Sequence, residues 1–126
     1  MQLEETAPIR IALAEDEADL RNVYVRLIER LGHRVVLAAA DGAELVDQCV
    51  NVHVDLVLVD LDMPVMDGLA AAEIIAAKGI PVVLISGHPD ASEVVLEQEP
   101  VVARIMKPAT AETLQKAIEK AMAFRR

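Results

Sequence analysis

Apolar positions along the chain fall into two alternating rhythms. Residues 9–14 form a short aliphatic run, followed at once by Glu15, Asp16 and Glu17. A run of this length carrying isoleucines predicts a buried strand. The rhythm then changes. Leu20, Val23, Tyr24, Leu27, Ile28 and Leu31 recur at the i, i+3, i+4, i+7 spacing of one helix face. Gly32 follows, the residue type that helix C-termini prefer. Residues 34–39 predict a second strand. Asp41-Gly42 turns the chain into a helix with Leu45, Val46, Cys49 and Val50 on one side. Residues 55–60 predict the third strand, and residues 68–78, rich in Ala and Ile and closed by Gly79, the third helix. Residues 81–86 predict a fourth strand, with Pro81 at its opening, where a missing N–H is tolerated. Asp90-Ala-Ser-Glu93 reads as a capping box for a short fourth helix that ends before Pro100. Residues 102–106 predict strand five, and Thr110 caps a last helix bearing Leu114, Ala117, Ile118, Ala121 and Met122.

Five apolar strands alternating with helices imply an α/β fold, a parallel sheet covered on both faces. Its 126 residues suit one domain. The first nine residues and Phe124-Arg125-Arg126 are expected to fray.

Composition narrows the function. The hydrophobic fraction is 54% with only 2% aromatics, so the chain has the aliphatic content to fold. A net charge of −9 argues against nucleic acid or an anionic membrane as partner. Cys49 is the lone cysteine and cannot form an internal disulfide, which fits a reducing cytoplasm; its apolar neighbours give it a packing role. No N-terminal stretch reads as a signal peptide, and no apolar run approaches the ~20 residues of a membrane helix.

The residues with chemical potential fall at the strand ends. Strand one runs into Glu15 and Asp16, strand three ends at Asp60, strand four at Ser86, and strand five runs into Lys107. In open parallel sheets ligands sit beyond those ends, where strand order reverses. Clustered carboxylates raise one another's pKa unless a cation lies among them. Oxygen ligands with open positions suit Mg²⁺, which keeps waters and favours phosphate. A metal, an ammonium and a hydroxyl around one carboxylate would stabilise a transferring phosphoryl group, and the carboxylate can itself be the nucleophile. Each residue alone has a plainer reading. Asp60 can be a turn residue, Ser86-Gly87 a turn and Lys107 a solvated side chain. Glu17 is given that plainer reading, as an acid at a helix start. Chance placement at successive strand ends is a poorer account of the whole set.

From about residue 8 to 123 the chain resembles a response-regulator receiver domain. The resemblance is carried by Glu15-Asp16 in "IALAEDEADLR", by "DLVLVDLDMPVMDG" around Asp60, by Ser86 in "PVVLISG", and by Lys107-Pro108. It implies a flavodoxin-like doubly wound (βα)5 fold, strand order 2-1-3-4-5, in a single domain over residues 1–126. It implies that Asp60 takes a phosphoryl group from a histidine kinase or phosphotransfer protein. Asp16, Asp60 and the Asp62 backbone carbonyl would hold Mg²⁺, with Glu15 acting through water. Lys107 would pair with Asp60 and then with the phosphoryl group. Ser86 would bond that group and remodel the face made by helix four, strand five and helix five. Such a domain is a switch rather than an enzyme. A cis Lys107–Pro108 bond is implied too, and Asp67 and Gly68 would shape the loop into helix three.

The sequence departs from the usual pattern at three places. Glu15 replaces the more common first Asp. Arg104 stands where many receivers carry a switch Tyr or Phe, and a guanidinium cannot mimic an aromatic that swings inward; it is free to pair with partner acids or with Glu97 or Glu99. The short fourth helix, between Pro89 and Pro100, makes the partner face unlike that of DNA-binding regulators. His88 and Asp62 lie two residues past Ser86 and Asp60, so a protonated His88 paired with Asp62 would shield an acyl phosphate from water. Two other functions compete. One is a degenerate receiver that only binds a partner. The other is a haloacid-dehalogenase-type phosphohydrolase using the D-x-D of "VDLDMP", Asp60 as nucleophile and Asp62 as acid. That motif normally follows the first strand and continues to Thr or Val, not Met-Pro after the third. The given sequence ends just past its fifth helix, so no DNA-binding module is expected within it; it is expected to be a stand-alone regulator, a phosphorelay intermediate or a receiver cut from a larger protein.

Overall fold

In the computed structural model of the protein, residues 8–61, 68–87 and 101–125 are described. Five strands, β1 (Arg10–Ala14), β2 (Arg34–Ala39), β3 (Leu56–Asp60), β4 (Val82–Ser86) and β5 (Val101–Met106), pair in parallel in the order β2-β1-β3-β4-β5. The order reverses between β1 and β3. This is the doubly wound, flavodoxin-like topology expected. Helices α1 (Ala18–Arg30), α2 (Gly42–Cys49) and α3 (Gly68–Ala76) and a C-terminal helix (Ala111–Arg125) cover the sheet. The short fourth helix expected around residues 90–96 lies outside the described residues.

Strand alternation sorts the core into two layers. Ile11 and Leu13, Leu56 and Leu58, Val83 and Ile85, and Ala103 and Ile105 face one side. There they meet Tyr24 and Ile28 of α1 and Leu114, Ala117, Ile118 and Ala121 of the C-terminal helix. Ala12 and Ala14, Val57 and Val59, and Val82 and Leu84 face the other side, against Leu45 and Cys49 of α2 and Ala72 and Ile75 of α3. Both faces are covered, so residues 11–14 of β1, 56–59 of β3 and 82–85 of β4 are apolar on both faces rather than alternating with polar residues. Truncating a central residue such as Leu58 to Ala would cost about 2–5 kcal/mol. Burial pushes the Cys49 thiol above its ordinary pKa, in keeping with a packing role.

Local signals fix the helix ends. Asp41 caps α2: its Oδ1 accepts from the Glu44 N–H at 2.8 Å, while Glu44 Oε1 accepts from the Ala40 N–H at 2.7 Å. Thr110 Oγ1 accepts from the Thr113 N–H at 3.1 Å and Thr113 Oγ1 from the Thr110 N–H at 2.9 Å. Gly32 closes the turn after α1 at φ 96° and Gly79 the turn after α3 at φ 83°, where a side chain would be strained. Glu17 stands at the start of α1, but its side chain makes no cap.

Of the residues expected to fray, Ile9, Phe124 and Arg125 belong to ordered structure, while residues 1–7 and Arg126 lie outside the described residues. Ile9 is tied down, its N–H donating to His33 Nδ1 at 3.2 Å and its carbonyl accepting from the Arg34 N–H at 3.0 Å. Burial holds His33 below the usual imidazole range, which keeps Nδ1 able to accept. At the other end Phe124 and Arg125 continue the C-terminal helix instead of fraying.

Candidate functional site

Each strand that borders the reversal hands a polar residue to the same rim. The Glu15 N–H donates to the Ala39 carbonyl at 3.0 Å and the Lys107 N–H to the Ser86 carbonyl at 3.0 Å, so both ladders run one residue past their strands. Alternation then carries Glu15 on from Ile11 and Leu13, Asp60 from Leu56 and Leu58, and Lys107 from Ala103 and Ile105. All three extend the face that α1 and the C-terminal helix cover. Ser86 follows Val82 and Leu84 on the opposite phase.

Glu15, Asp60 and Ser86, at 0%, 1% and 2% exposure, are the buried polar residues among those described. A buried polar set confined to one rim marks chemistry rather than packing, because each such group costs free energy unless partnered. Lys107 Nζ lies 2.9 Å from Asp60 Oδ2 and remains partly exposed. Carboxylate oxygens of Glu15, Asp16 and Asp60 all lie within 4.8 Å of one another, with Asp16 on the solvent side.

Glu15 bears the strain of this arrangement. Its Oε2 accepts from the Glu17 N–H at 3.1 Å, but its Oε1 is buried without a hydrogen-bond partner. Burial first, then the neighbouring Asp60 carboxyl, push its pKa up to about 8; Lys107 opposes the shift. Two ionised carboxylates can only accept, so a proton or a cation is needed between them. An orphaned buried oxygen within a triad of carboxylates fits a hard divalent ion held through oxygen ligands.

The surroundings hold this loop in place. Arg21 of α1 donates from Nη1 to the Glu15 carbonyl at 2.8 Å. The Lys107–Pro108 peptide bond is cis. Arg104 does not join the rim. It is partly buried in an open groove of about 540 Å³ between β5 and the C-terminal helix, with Lys116, Lys120 and apolar Ile105 and Ala117. The structure thus brings together Glu15, Asp16, Asp60 and Lys107, with buried Ser86 closing β4 at the same rim. Asp62, Asp67 and His88 lie outside the described residues, as do Glu97 and Glu99, so the His88–Asp62 and Arg104 pairings do too.

One residue beside the site was not singled out by sequence. Tyr24 reads as one position of an apolar stripe, yet its hydroxyl is buried without a hydrogen-bond partner. Its pKa is pushed up to about 12, by burial first, then by the charge of Glu15, against an opposing effect of Lys107. The available signal was its identity: it is the chain's one tyrosine, and it sits on the buried face of the helix that starts at the acids.

Comparison with known proteins bears on the family and the fold. Residues 11–119 match the family model described as response regulator receiver domain. The chain is 34% identical over 117 residues to the transcriptional regulatory protein PdtaR of Mycobacterium tuberculosis H37Rv, covering 91% of this chain and 57% of that protein. It is 36% identical over 83 residues to a protein-glutamate methylesterase/protein-glutamine glutaminase of Haloarcula marismortui, covering 65% of this chain and 22% of that one. The chain therefore spans little more than half, or less, of these relatives. Among solved structures, a two-component response regulator of the LuxR family from Aurantimonas sp. SI85-9A1 superposes with a TM-score of 0.84 at 29% identity, covering 95% of this chain and 89% of that one. The receiver domain of a modulated diguanylate cyclase from Desulfovibrio desulfuricans G20 shares the fold, with a TM-score of 0.85 at 24% identity, covering 94% and 97%. Among the described residues no helix is long and apolar enough to cross a membrane. With the family model matched over nearly the whole fold, the chain belongs to the response regulator receiver domain family of two-component signalling.

Proposed function

We propose that this domain is a phosphoacceptor switch in which Asp60 takes a phosphoryl group from a phosphohistidine on a histidine kinase or phosphotransfer protein. One observation carries the reading: Asp60, almost wholly buried, has an ammonium at 2.9 Å and carboxylate oxygens of Glu15 and Asp16 within 4.8 Å. A lone buried aspartate needs only a counter-ion. One held in a triad of acids beside a lysine has the surroundings of a nucleophile.

Asp16, Asp60 and Glu15 would hold Mg²⁺, Glu15 through water, together with the backbone carbonyl of Asp62. The bound ion supplies positive charge to offset the gathered carboxylates and the phosphoryl oxygens. An Asp60 oxygen attacks phosphorus, the phosphorus–nitrogen bond of the donor breaks, and the leaving histidine nitrogen keeps the electron pair. Lys107 holds Asp60 in line and then follows the charge onto the phosphoryl oxygens. The Ser86 hydroxyl donates to the same oxygens.

The output runs along β4 and β5. Ser86 pairs with Met106 and Leu84 with Arg104 across the two strands, and the Lys107 N–H is bonded to the Ser86 carbonyl. Movement of Ser86 toward a phosphoryl group therefore pulls on the strand that lines the Arg104 groove. Because Arg104 stands where many receivers have a switch aromatic, the signal would be read by charge at that groove rather than by burial of a ring. The domain itself turns over no substrate beyond its own phosphorylation and slow dephosphorylation.

Intact-mass measurement after incubation with acetyl phosphate and Mg²⁺ tests the reading. One added phosphoryl group, dependent on Mg²⁺, supports it. No addition favours a domain that only binds its partner. Sustained turnover of a small phosphomonoester would point instead to a hydrolase.

A further inference from the structure

Asp16 is the least supported member of the acid triad. Glu15 is set by its N–H on the Ala39 carbonyl at 3.0 Å and by the Glu17 N–H on its Oε2 at 3.1 Å. Asp60 ends β3 and is held by Lys107. Asp16 is exposed, between β1 and α1, and its side chain has no hydrogen bond or ion pair among the described residues. Its backbone alone aims its carboxylate. The peptide unit before it is held by one side chain: Arg21 Nη1 donates to the Glu15 carbonyl at 2.8 Å. That carbonyl and the Asp16 Cα belong to one planar unit, so holding the oxygen restricts where Asp16 can lie. The donor sits where little else rewards a cation. Arg21 is one turn into α1, its own N–H closing the first turn on the Glu17 carbonyl at 2.8 Å. The helix dipole favours acids at that end, not a guanidinium. Glu17, at the N-cap, makes no side-chain cap, so among the described residues Arg21 is the side chain by which α1 grips the loop.

We infer that Arg21 is a positioning residue for the cation site: its bond to the Glu15 carbonyl fixes the peptide that aims Asp16 at the place where the Glu15 and Asp60 oxygens meet. The inference rests on the reading of Glu15, Asp16 and Asp60 as a cation site. A charge-assisted bond from a partly buried guanidinium is strong and directional enough to hold one peptide plane. An exposed carboxylate on a loose loop would have to be ordered each time an ion bound, which costs affinity. With the plane held beforehand, that cost is smaller. Outer partners that orient metal ligands in this way typically tune affinity by tenfold or more. Charge alone predicts the reverse: a guanidinium near the acids repels Mg²⁺, so its removal should tighten binding. The sign of the effect therefore separates positioning from electrostatics.

Arg21→Gln tests this, since it removes the charge and shortens the reach. Mg²⁺ alone is titrated against the isotope-labelled domain, and affinity is read from amide shifts. The expected result is about a tenfold loss of affinity. In the Asp16→Asn background Arg21→Gln should cost nothing further, because the carboxylate it aims is gone. Asp41→Ala, which removes the cap of α2, is the control for a loss of stability alone. The wild type offers a second readout that needs no variant. The Arg21 guanidinium protons should be protected from exchange, unlike those of exposed Arg34, and should stay protected once Mg²⁺ is bound. Unchanged or tighter Mg²⁺ binding in Arg21→Gln overturns the inference. So does an equal loss in the Asp16→Asn background, or an Arg21 side chain that exchanges as freely as Arg34. The two readings fail separately. A wild type that binds no Mg²⁺ sinks the cation site itself, whereas a wild type that binds it no better than Arg21→Gln does sinks the role of Arg21 alone.

Discussion

The Lys107 ammonium lies 2.9 Å from an Asp60 carboxylate that is 1% exposed, and the two residues come from strands separated by β4. The contact ties the far side of the sheet to the end of β3. It also aims the lysine at any group that arrives on Asp60. Lys107→Ala should lower the rate of Asp60 phosphorylation by about 100-fold, the usual scale for losing one donor to developing charge. Time courses of intact mass with acetyl phosphate would measure it. A rate within twofold of wild type would show that Lys107 only balances charge in the resting site.

Glu15 makes the metal-free protein sensitive to pH. Its folded pKa, about 8, lies above the ordinary value of 4.5, so the folded state holds a proton that the unfolded state releases. The stability this contributes is complete below about pH 4.5 and is lost as pH rises toward about 8. Thermal midpoints with a chelator present should fall across that window. Mg²⁺ should reverse the trend, because it binds the deprotonated site. Glu15→Gln should remove the Glu15 component of the slope. Curves of equal slope for wild type and Glu15→Gln would refute this assignment.

The cap of α2 is a control for stability without chemistry. Asp41 accepts from the Glu44 N–H at 2.8 Å, remote in sequence from the acids. Asp41→Ala should cost about 1 kcal/mol in urea unfolding. Phosphorylation and Mg²⁺ affinity should stay at wild-type values.

Coupling from site to groove is open to direct observation. Beryllofluoride with Mg²⁺ mimics a phosphoryl group on a carboxylate. Its addition should move the amide resonances of Ser86 and Met106 and then those of Arg104, Lys116 and Lys120. None should move in Asp60→Asn. Shifts confined to the rim, with Arg104 still, would break the proposed link between Ser86 and the groove.

Much of this was legible in the sequence because abrupt changes of polarity are. Asp60 and Lys107 are polar residues at the point where an aliphatic run stops, and a parallel sheet brings such points together. The strand order rested on family resemblance, since periodicity alone does not order strands. Element ends were read less well. The third helix was expected to reach Lys78 but ends at Ala76, because Lys78 and Gly79 donate to Ile75 and Ala76 in a tighter turn that an Ala-rich run does not announce. Pro81 precedes β4 rather than opening it; with no N–H to give, it offers its carbonyl to the Val57 N–H at 3.0 Å. Tyr24 was missed for another reason. A helical stripe shows which face is buried, and a tyrosine fits it as well as a leucine does.

The central claim is that Asp60 is the phosphoacceptor, and locating the modified residue tests it most directly. Wild type and Asp60→Asn are treated with acetyl phosphate, with and without Mg²⁺, and digested for peptide mapping. The expected result is one phosphoryl group on the peptide containing Asp60, formed only with Mg²⁺ and absent from Asp60→Asn. An unmodified wild type, or the same modification in Asp60→Asn, would contradict it.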